Sequence, residues 1–188
     1  GAAISIDTRK SDVMAAALAA GASLVNDVSA LTYDDRSAEI VAAAGAPVVL
    51  MHHQGAPESM QQDPRYDDVL VEVYLWLEER IAAAETAGID RSRILLDIGF
   101  GFGKSVAHNL ELMNGLALFH ALGCPLVLGA SRKRTIGALS GEAPVDQRLG
   151  EPPDGGERSL ELVRDVGDEV AAHPVQPFAL RQVARHDD

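Results

Sequence analysis

Five short apolar segments alternate with helix-type segments over residues 1–130, and this alternation constrains the fold more than any other feature of the chain. Each apolar segment ends in polar residues or glycine, and the segments lie at residues 4–6, 24–25, 47–51, 94–96 and 125–129. Short all-apolar strands separated by helices are typical of a parallel sheet covered by its crossover helices. The sequence therefore predicts an α/β fold in which every strand has its carboxyl end at the same edge of the sheet.

Polar side chains are expected to meet at this edge, which carries the active site in a (β/α)8 barrel. Asp7, Asn26, Met51, Asp97 and Lys133 end or follow the five predicted strands. We therefore expect these five residues to converge on one site. The structural alternative for Asp7 and Asn26 is a role in helix capping or turns alone, and for Lys133 it is a place in a solvated basic turn.

The stretch from Leu95 to Ser105 combines a buried strand, a carboxylate, three glycines and a lysine. The glycines allow positive φ and a close backbone approach, and Lys104 and Ser105 are expected to offer donors to an anion at the start of the next helix. A Walker A loop is excluded because Ile98 stands where its first glycine is required. A dinucleotide-binding loop is excluded because Lys104 stands where its third glycine is required. The stretch predicts either a ligand-holding loop or a turn whose glycines serve geometry alone.

Four helices are expected, at residues 13–20, 37–44, 66–87 and 109–122, with Ser11 or Asp12 capping the first. In the third helix, Trp76 belongs to an apolar stripe at helical spacing and is expected to pack in the core. His52 and His53 are adjacent in a strand and would point to opposite sides, so a zinc site is not expected there.

Composition excludes several function classes. The net charge of −12 argues against nucleic-acid binding, which needs a basic surface, so an anion site must be local. The single cysteine, Cys124, permits no internal disulfide and favours the cytoplasm. The chain has no apolar run of about 18 residues and no signal-peptide pattern, so no membrane association is expected. Because it opens on Gly1 close to a strand, we expect it to begin inside a longer protein.

Several motifs together resemble the dihydropteroate synthases of folate biosynthesis. They are Ile-Asp-Thr-Arg-Lys at 6–10, Val-Asn-Asp-Val at 25–28, Leu-Met-His at 50–52, Asp-Ile-Gly-Phe-Gly-Phe-Gly-Lys at 97–104 and Ala-Ser-Arg-Lys-Arg at 130–134. The resemblance covers roughly residues 4–150. It implies a partial TIM (β/α)8 barrel that binds pterin over residues 1–150, followed by a divergent C-terminal tail over residues 151–188. A related methyltetrahydrofolate-dependent methyltransferase is the alternative, but the segment 131–133 and the long glycine loop favour the synthase.

The resemblance implies a transferase that condenses 6-hydroxymethyl-7,8-dihydropterin diphosphate with p-aminobenzoate, with Mg²⁺ assisting, to give 7,8-dihydropteroate and pyrophosphate. Sulfonamides would compete for the site, and a homodimer would be the assembly. Asp97 and Lys133 would be the catalytic residues. The substrates would be bound by Asp7, Asn26, Val28, Met51 and Asp97 at the pterin slot, and by Phe102, Ser131, Arg132 and Lys133 beside the p-aminobenzoate.

The chain also departs from the family pattern. Ile98 replaces the proline expected after Asp97, and His52 stands at a family histidine position that is expected to be structural. The resemblance implies two further strand-helix units before residue 4, including the Mg²⁺ ligand segment, and it stops abruptly after Gly150. We therefore expect a change of reading frame near residue 150, with a possible helix at 159–171 in the tail. Five strands would leave open sheet edges, so a non-catalytic pterin-binding fragment is the alternative function.

Overall fold

The computed structural model describes residues 3–55, 64–130 and 181–182. The strands are β1 (Ile4–Asp7), β2 (Leu24–Asp27), β3 (Val48–Met51), β4 (Ile94–Asp97), β5 (Leu126–Val127) and β6 (Arg181–Gln182). The α-helices are α1 (Ser11–Ala19), α2 (Ser37–Ala44), α3 (Val69–Thr86) and α4 (Val106–Asn114), and two 3₁₀ helices span Arg91–Arg93 and Leu116–Leu122.

The strands form one sheet in the order β5-β4-β3-β2-β1-β6, and every neighbouring pair is parallel. Helices connect the first five strands in turn, so the predicted α/β fold with a partial barrel is confirmed. The sixth strand was not predicted. It pairs with Ile4 and Ser5 at the edge of β1, which the sequence analysis expected to be open.

The hydrophobic core lies between the sheet and its helices. On α3 the side chains of Val73, Leu77 and Ile81 are fully buried, as the apolar stripe predicts. They belong to one cluster with strand residues that include Leu50 and Leu96. Burying one such side chain stabilises the fold by about 1.5–3 kcal/mol. The half-buried Trp76 packs against this cluster, so its predicted core role is confirmed.

Helix α2 begins at Ser37 as predicted, whereas the starts of α1 and α3 differ from the predictions. Helix α1 begins at Ser11 itself, and neither Ser11 nor Asp12 caps it: the N-cap is Lys10, and the Ser11 amide donates to Asp34 Oδ2 at 3.0 Å. Helix α3 begins at residue 69 because the Asp68 carboxylate accepts a hydrogen bond from the Val71 amide. These caps require contacts or turn geometry that hydrophobic periodicity does not register.

The fourth predicted helix, 109–122, is two elements. Helix α4 begins three residues earlier, because Ser105 caps it, and ends at Gly115. The 3₁₀ helix follows directly. A side chain at Gly115 would collide with Leu70 of α3, so glycine permits the two helices to pack closely where the geometry changes.

Three sequence predictions lie outside the described residues. They are the end of the partial barrel at residues 131–150, the possible helix at 159–171 and, apart from the two residues of β6, the character of the tail at 151–188. Among the described helices, none is both long enough and apolar enough to cross a membrane.

Candidate functional site

The strand register places four predicted site residues on one face of the sheet. Asp7 of β1 lies opposite Asn26 of β2, and Asn26 lies opposite Val49 of β3. Two residues beyond Val49, Met51 lies opposite Asp97 of β4. Because side chains alternate along a strand, these residues all project to the same side, at the carboxyl ends of the strands. The intervening residues project to the opposite side, into the helix-covered core.

The remaining predicted site residues divide into two groups. Val28 follows β2 directly and Phe102 lies in the glycine-rich loop after β4, and both are half-buried. Ser131, Arg132 and Lys133 lie outside the described residues, so their predicted roles stay predictions.

Asp97 ends β4 at the point where the chain leaves the sheet. Its Oδ1 accepts a 2.7 Å hydrogen bond from the Gly99 amide, which fixes the carboxylate against its own loop. Ile98, where the resemblance predicts a proline, is 1% exposed. Its buried side chain therefore anchors the turn in place of a rigid ring. The carboxylate itself is half-buried at the site-facing side of the sheet.

The loop after Asp97 requires glycine at two positions. Gly99 and Gly103 have φ angles of 67° and 62°, in the left-handed region that side chains rarely adopt. A Cβ at Gly99 would collide with the backbone carbonyl of His52, and one at Gly103 with that of Gln54. The Phe102 amide donates to the Gly99 carbonyl at 3.0 Å, which closes a tight turn. These contacts show that the glycines serve loop geometry.

Lys104 does not offer its ammonium to an anion, so this sequence prediction is wrong. The residue is 3% exposed. Its Nζ lies 2.9 Å from His52 Nδ1 and donates to the carbonyls of Gly99 and Phe102 at 3.0 Å each. The side chain folds back under its own loop because three acceptors are already arranged there.

Ser105 is not an anion donor either. Its Oγ accepts from the His108 amide at 3.1 Å, and its own amide donates to His108 Nδ1 at 3.3 Å. The two residues form a reciprocal cap at the start of α4. The Ser105 amide is therefore engaged within the protein and is not available to an anion.

His52 is structural, as predicted. Its side chain is buried, and its ring meets Trp76 edge-on with ring centroids 5.0 Å apart. Burial, and secondarily the nearby Lys104, lower the pKa of His52 from 6.5 to about 3. Burial likewise lowers the pKa of Lys104 from 10.5 to about 7, against the opposing effect of Asp97. His52 is therefore a neutral imidazole whose Nδ1 accepts from Lys104.

Asp27 was missed by the sequence analysis. It is fully buried on the helix side of the sheet, next to Asn26 in the chain. Its Oδ1 accepts from the Ser29 amide at 2.7 Å and the Ser29 hydroxyl at 2.6 Å, and its Oδ2 from the Leu31 amide at 3.0 Å. Burial raises the pKa of this carboxyl and outweighs these hydrogen bonds. The Asp-x-Ser spacing after a strand, typical of an Asx turn, could have identified it.

This carboxylate holds a strained turn. Ala30 and Leu31 have φ angles of 49° and 63° without being glycine, a conformation that costs of order 1–3 kcal/mol per residue. The hydrogen bonds of Asp27 span this segment and stabilise it. Val28, a predicted wall of the site, lies between Asp27 and the strained residues, so the turn sets its position.

A cavity of about 240 Å³ lies at the opposite edge of the sheet. It is lined by residues that precede β3 and β4, among them Ala46, Ile89 and Arg93. The predicted site residues stand at the carboxyl edge, so this cavity is separate from them.

Among the residues that the structure describes, no three His, Cys, Asp or Glu side chains are grouped so that they could hold a metal ion. Proteins commonly hold Mg²⁺ with only one or two carboxylates, completed by water and substrate phosphates. The expected Mg²⁺ therefore stays a prediction.

Comparison with known proteins identifies the family to which this site belongs. The family model described as "Pterin binding enzyme" matches residues 1–152. The chain belongs to the pterin-binding enzyme family. Among curated relatives, the dihydropteroate synthase of Escherichia coli strain K12 is 44% identical over 147 residues, which cover 78% of this chain and 52% of the relative. The chain thus spans about half the length of the curated relatives that it matches.

Solved structures of the family agree with the fold. Dihydropteroate synthase from Xanthomonas albilineans, in complex with 7,8-dihydropteroate, matches with a TM-score of 0.74 and 40% identity, covering 92% of this chain and 68% of that one. The Yersinia pestis dihydropteroate synthase, in a sulfonamide drug complex, matches with a TM-score of 0.73 and 40% identity, covering 78% of this chain and 53% of that one. These neighbours are TIM barrels, and the described sheet corresponds to part of such a barrel.

Proposed function

We propose that the protein acts in dihydropteroate synthesis. It would condense 6-hydroxymethyl-7,8-dihydropterin diphosphate with p-aminobenzoate. The arrangement of Asp97 carries this proposal: its carboxylate ends a central strand, in register with Met51 and on the same face as Asp7 and Asn26. The relatedness to dihydropteroate synthases, one of them bound to 7,8-dihydropteroate, supports it.

Asp97 would bind the pterin through its amino-pyrimidine edge. That edge presents adjacent N–H donors, much as a guanidinium does, and a carboxylate accepts such a pair in two parallel hydrogen bonds. Asn26 and Asp7 would supply the polar rim of the slot, and Met51 and Val28 its apolar walls. Met51 lies opposite Asp97 and projects to the same face of the sheet, which favours an apolar surface beside the carboxylate.

The p-aminobenzoate would bind between Phe102 and the segment 131–133. In the reaction, the bond from the pterin's methylene carbon to the diphosphate oxygen breaks and a bond to the amine nitrogen forms. The electron pair leaves with pyrophosphate, and the amine loses a proton. Lys133 would contact both the pterin and the p-aminobenzoate. Catalysis would rest on positioning the two substrates and stabilising the departing anion, without a covalent nucleophile.

Further parts of the proposal are a requirement for Mg²⁺, competition by sulfonamides, a homodimeric assembly and a cytoplasmic location. Dependence on Mg²⁺ is measured by adding a chelator to the assay, and the assembly by light scattering. The sulfonamide complex of the related Yersinia pestis enzyme supports the competition. The single Cys124, which is free and buried, is consistent with a reducing compartment.

The test is a condensation assay on the purified chain, with labelled p-aminobenzoate, the dihydropterin diphosphate and Mg²⁺. We expect labelled 7,8-dihydropteroate from the wild type and a loss of at least a hundredfold in Asp97→Asn. Asp35→Asn, at an exposed carboxylate, is the matched control and should retain the activity.

No product from a folded chain that still binds the pterin would refute turnover. The alternative, a non-catalytic pterin-binding fragment, would then be the function. A methyl group transferred from methyltetrahydrofolate would instead identify a methyltransferase of the same family.

A further inference from the structure

We propose that Lys104 is a positioning residue for pterin binding, and that it acts through Gly99 on the carboxylate of Asp97. This inference rests on the proposed function, because it concerns the same site. Lys104 has no place in the roles assigned above, although it is the one buried lysine among the described residues.

The surroundings of Nζ fit a charged ammonium group. An ammonium has three N–H donors and accepts no hydrogen bond. Three acceptors stand around Nζ within 3.0 Å: His52 Nδ1 and the carbonyls of Gly99 and Phe102. Burial keeps the imidazole neutral, and beside an ammonium that can only donate, Nδ1 is the ring nitrogen without a proton. The ammonium therefore joins the end of β3 to the loop that follows β4.

Gly99 transmits this contact to Asp97. Its carbonyl accepts from Lys104, and its amide donates to Asp97 Oδ1 at 2.7 Å. The same carbonyl also accepts from the Phe102 amide, which closes the turn. A Cβ at Gly99 would strike the His52 carbonyl, so the Gly99 backbone packs directly against the residue that follows β3. Fixing Gly99 therefore fixes the direction of the Asp97 carboxylate.

Electrostatics couples the same groups. Burial alone disfavours the ammonium, and the nearby Asp97 carboxylate favours it. When the lysine loses its proton, one of the three donors is lost and one acceptor is left without a hydrogen bond. The turn then loosens, and Asp97 loses both a neighbouring charge and a fixed orientation. Pterin affinity should fall as a consequence.

A pH experiment on Lys104 must distinguish its titration from that of the other titratable groups that face it. They are His52 and His53 after β3, Asp97 of β4 and Tyr66 with its neighbour Glu72 on the α3 side. Burial raises the pKa of Tyr66 and lowers that of His52 to about 3, so neither titrates between pH 6 and 9. His53→Gln and His108→Gln serve as the background controls for the histidine next to His52 and for the one that bonds to Ser105 beside Lys104.

The experiment is a calorimetric titration of the full chain with 6-hydroxymethyl-7,8-dihydropterin at several pH values from 6 to 9. In the wild type and in His53→Gln, we expect the Kd to rise about tenfold or more over this range. Lys104→Met should bind at least tenfold more weakly at pH 6 and show less than a twofold change with pH. Lys10→Met, at an exposed lysine, should behave as the wild type does.

Each outcome has one meaning. A Lys104→Met variant that binds within twofold of the wild type, or that keeps the wild-type pH dependence, overturns the inference and leaves the proposed function intact. A wild type that binds no pterin at any pH refutes both.

A second measurement uses the wild type alone, in case the variant does not fold. Nitrogen-detected NMR of the Lys104 side chain should show its pKa rising by at least one unit when pterin binds, because binding and protonation favour each other. An unchanged pKa in the presence of bound pterin overturns the inference.

Discussion

Replacing His52 by asparagine should remove a large part of the protein's sensitivity to acid. His52 is buried against Trp76 and accepts from Lys104 Nζ at Nδ1. Asparagine places an amide oxygen near the position of Nδ1, so the lysine keeps an acceptor, but the new side chain takes up no proton in this range. The substitution therefore isolates the cost of protonating the imidazole.

The magnitude follows from the difference between the folded and unfolded states. The pKa of His52 is about 3 in the fold, against 6.5 for an exposed histidine. At pH 7 most of the unfolded chains bind no proton at this position, whereas at pH 5 nearly all of them do; the folded chain binds almost none at either pH. Because the folded pKa is lowered, the stability that the neutral His52 contributes is fully present above pH 6.5 and is lost as the pH falls from 6.5 towards 3. Over the step from pH 7 to pH 5 the loss is about 2 kcal/mol.

Urea unfolding at the two pH values measures this effect. Trp76 is the chain's single tryptophan and lies beside His52, so its fluorescence reports the transition. The wild type should lose more stability from pH 7 to pH 5 than His52→Asn, and the two losses should differ by about 2 kcal/mol. His120→Asn, at an exposed ring, should match the wild type. Equal losses in wild type and His52→Asn would refute a buried, neutral His52.

Three further substitutions test the local structure by urea unfolding. Gly99→Ala should destabilise the chain by about 3 kcal/mol or more, because the residue has a φ of 67° and its new methyl group would strike the His52 carbonyl. The control is Gly21→Ala, whose methyl group would meet no atom within 4 Å. It should cost only the strain of its positive φ, about 1–2 kcal/mol. Asp27→Asn should cost about 1–3 kcal/mol, because an amide nitrogen replaces one of the two buried oxygens that together accept three hydrogen bonds. An unchanged unfolding midpoint would show that the turn does not need the carboxylate. Leu77→Ala, at a fully buried position, should destabilise the chain by about 2–5 kcal/mol. Its control is Leu75→Ala on the same helix, where the leucine is 54% exposed and its loss should cost less than about 0.5 kcal/mol. Similar values for the two variants would contradict the described core.

The alternation of apolar strands and helices was sufficient to predict the first five strands of the parallel sheet, because the apolar pattern within each element indicates which of its residues are buried. The helix starts were less predictable. The Ser11 amide is satisfied by Asp34, 23 positions away in the chain. Such a contact depends on two loops meeting at the sheet edge, which periodicity does not encode.

The site shows the same division. Placing Asp7, Asn26, Met51 and Asp97 on one face required only the strand ends and parallel register. Lys104 was mispredicted because a lysine beside glycines looks the same in sequence whether it faces a ligand or its own loop. Only the folded chain brings His52, 52 positions earlier, within 2.9 Å of its Nζ.

The proposed function requires that the described strands form a pterin slot organised by Asp97. It is tested most directly by calorimetric titration of the purified chain with 6-hydroxymethyl-7,8-dihydropterin, beside Asp97→Asn. Asparagine retains the oxygen that accepts from Gly99 but removes the charge and one acceptor. We expect saturable binding with one site per chain in the wild type and at least a hundredfold loss in the variant. Equal binding by both, or none by a wild-type chain whose circular dichroism shows it to be folded, would contradict the account.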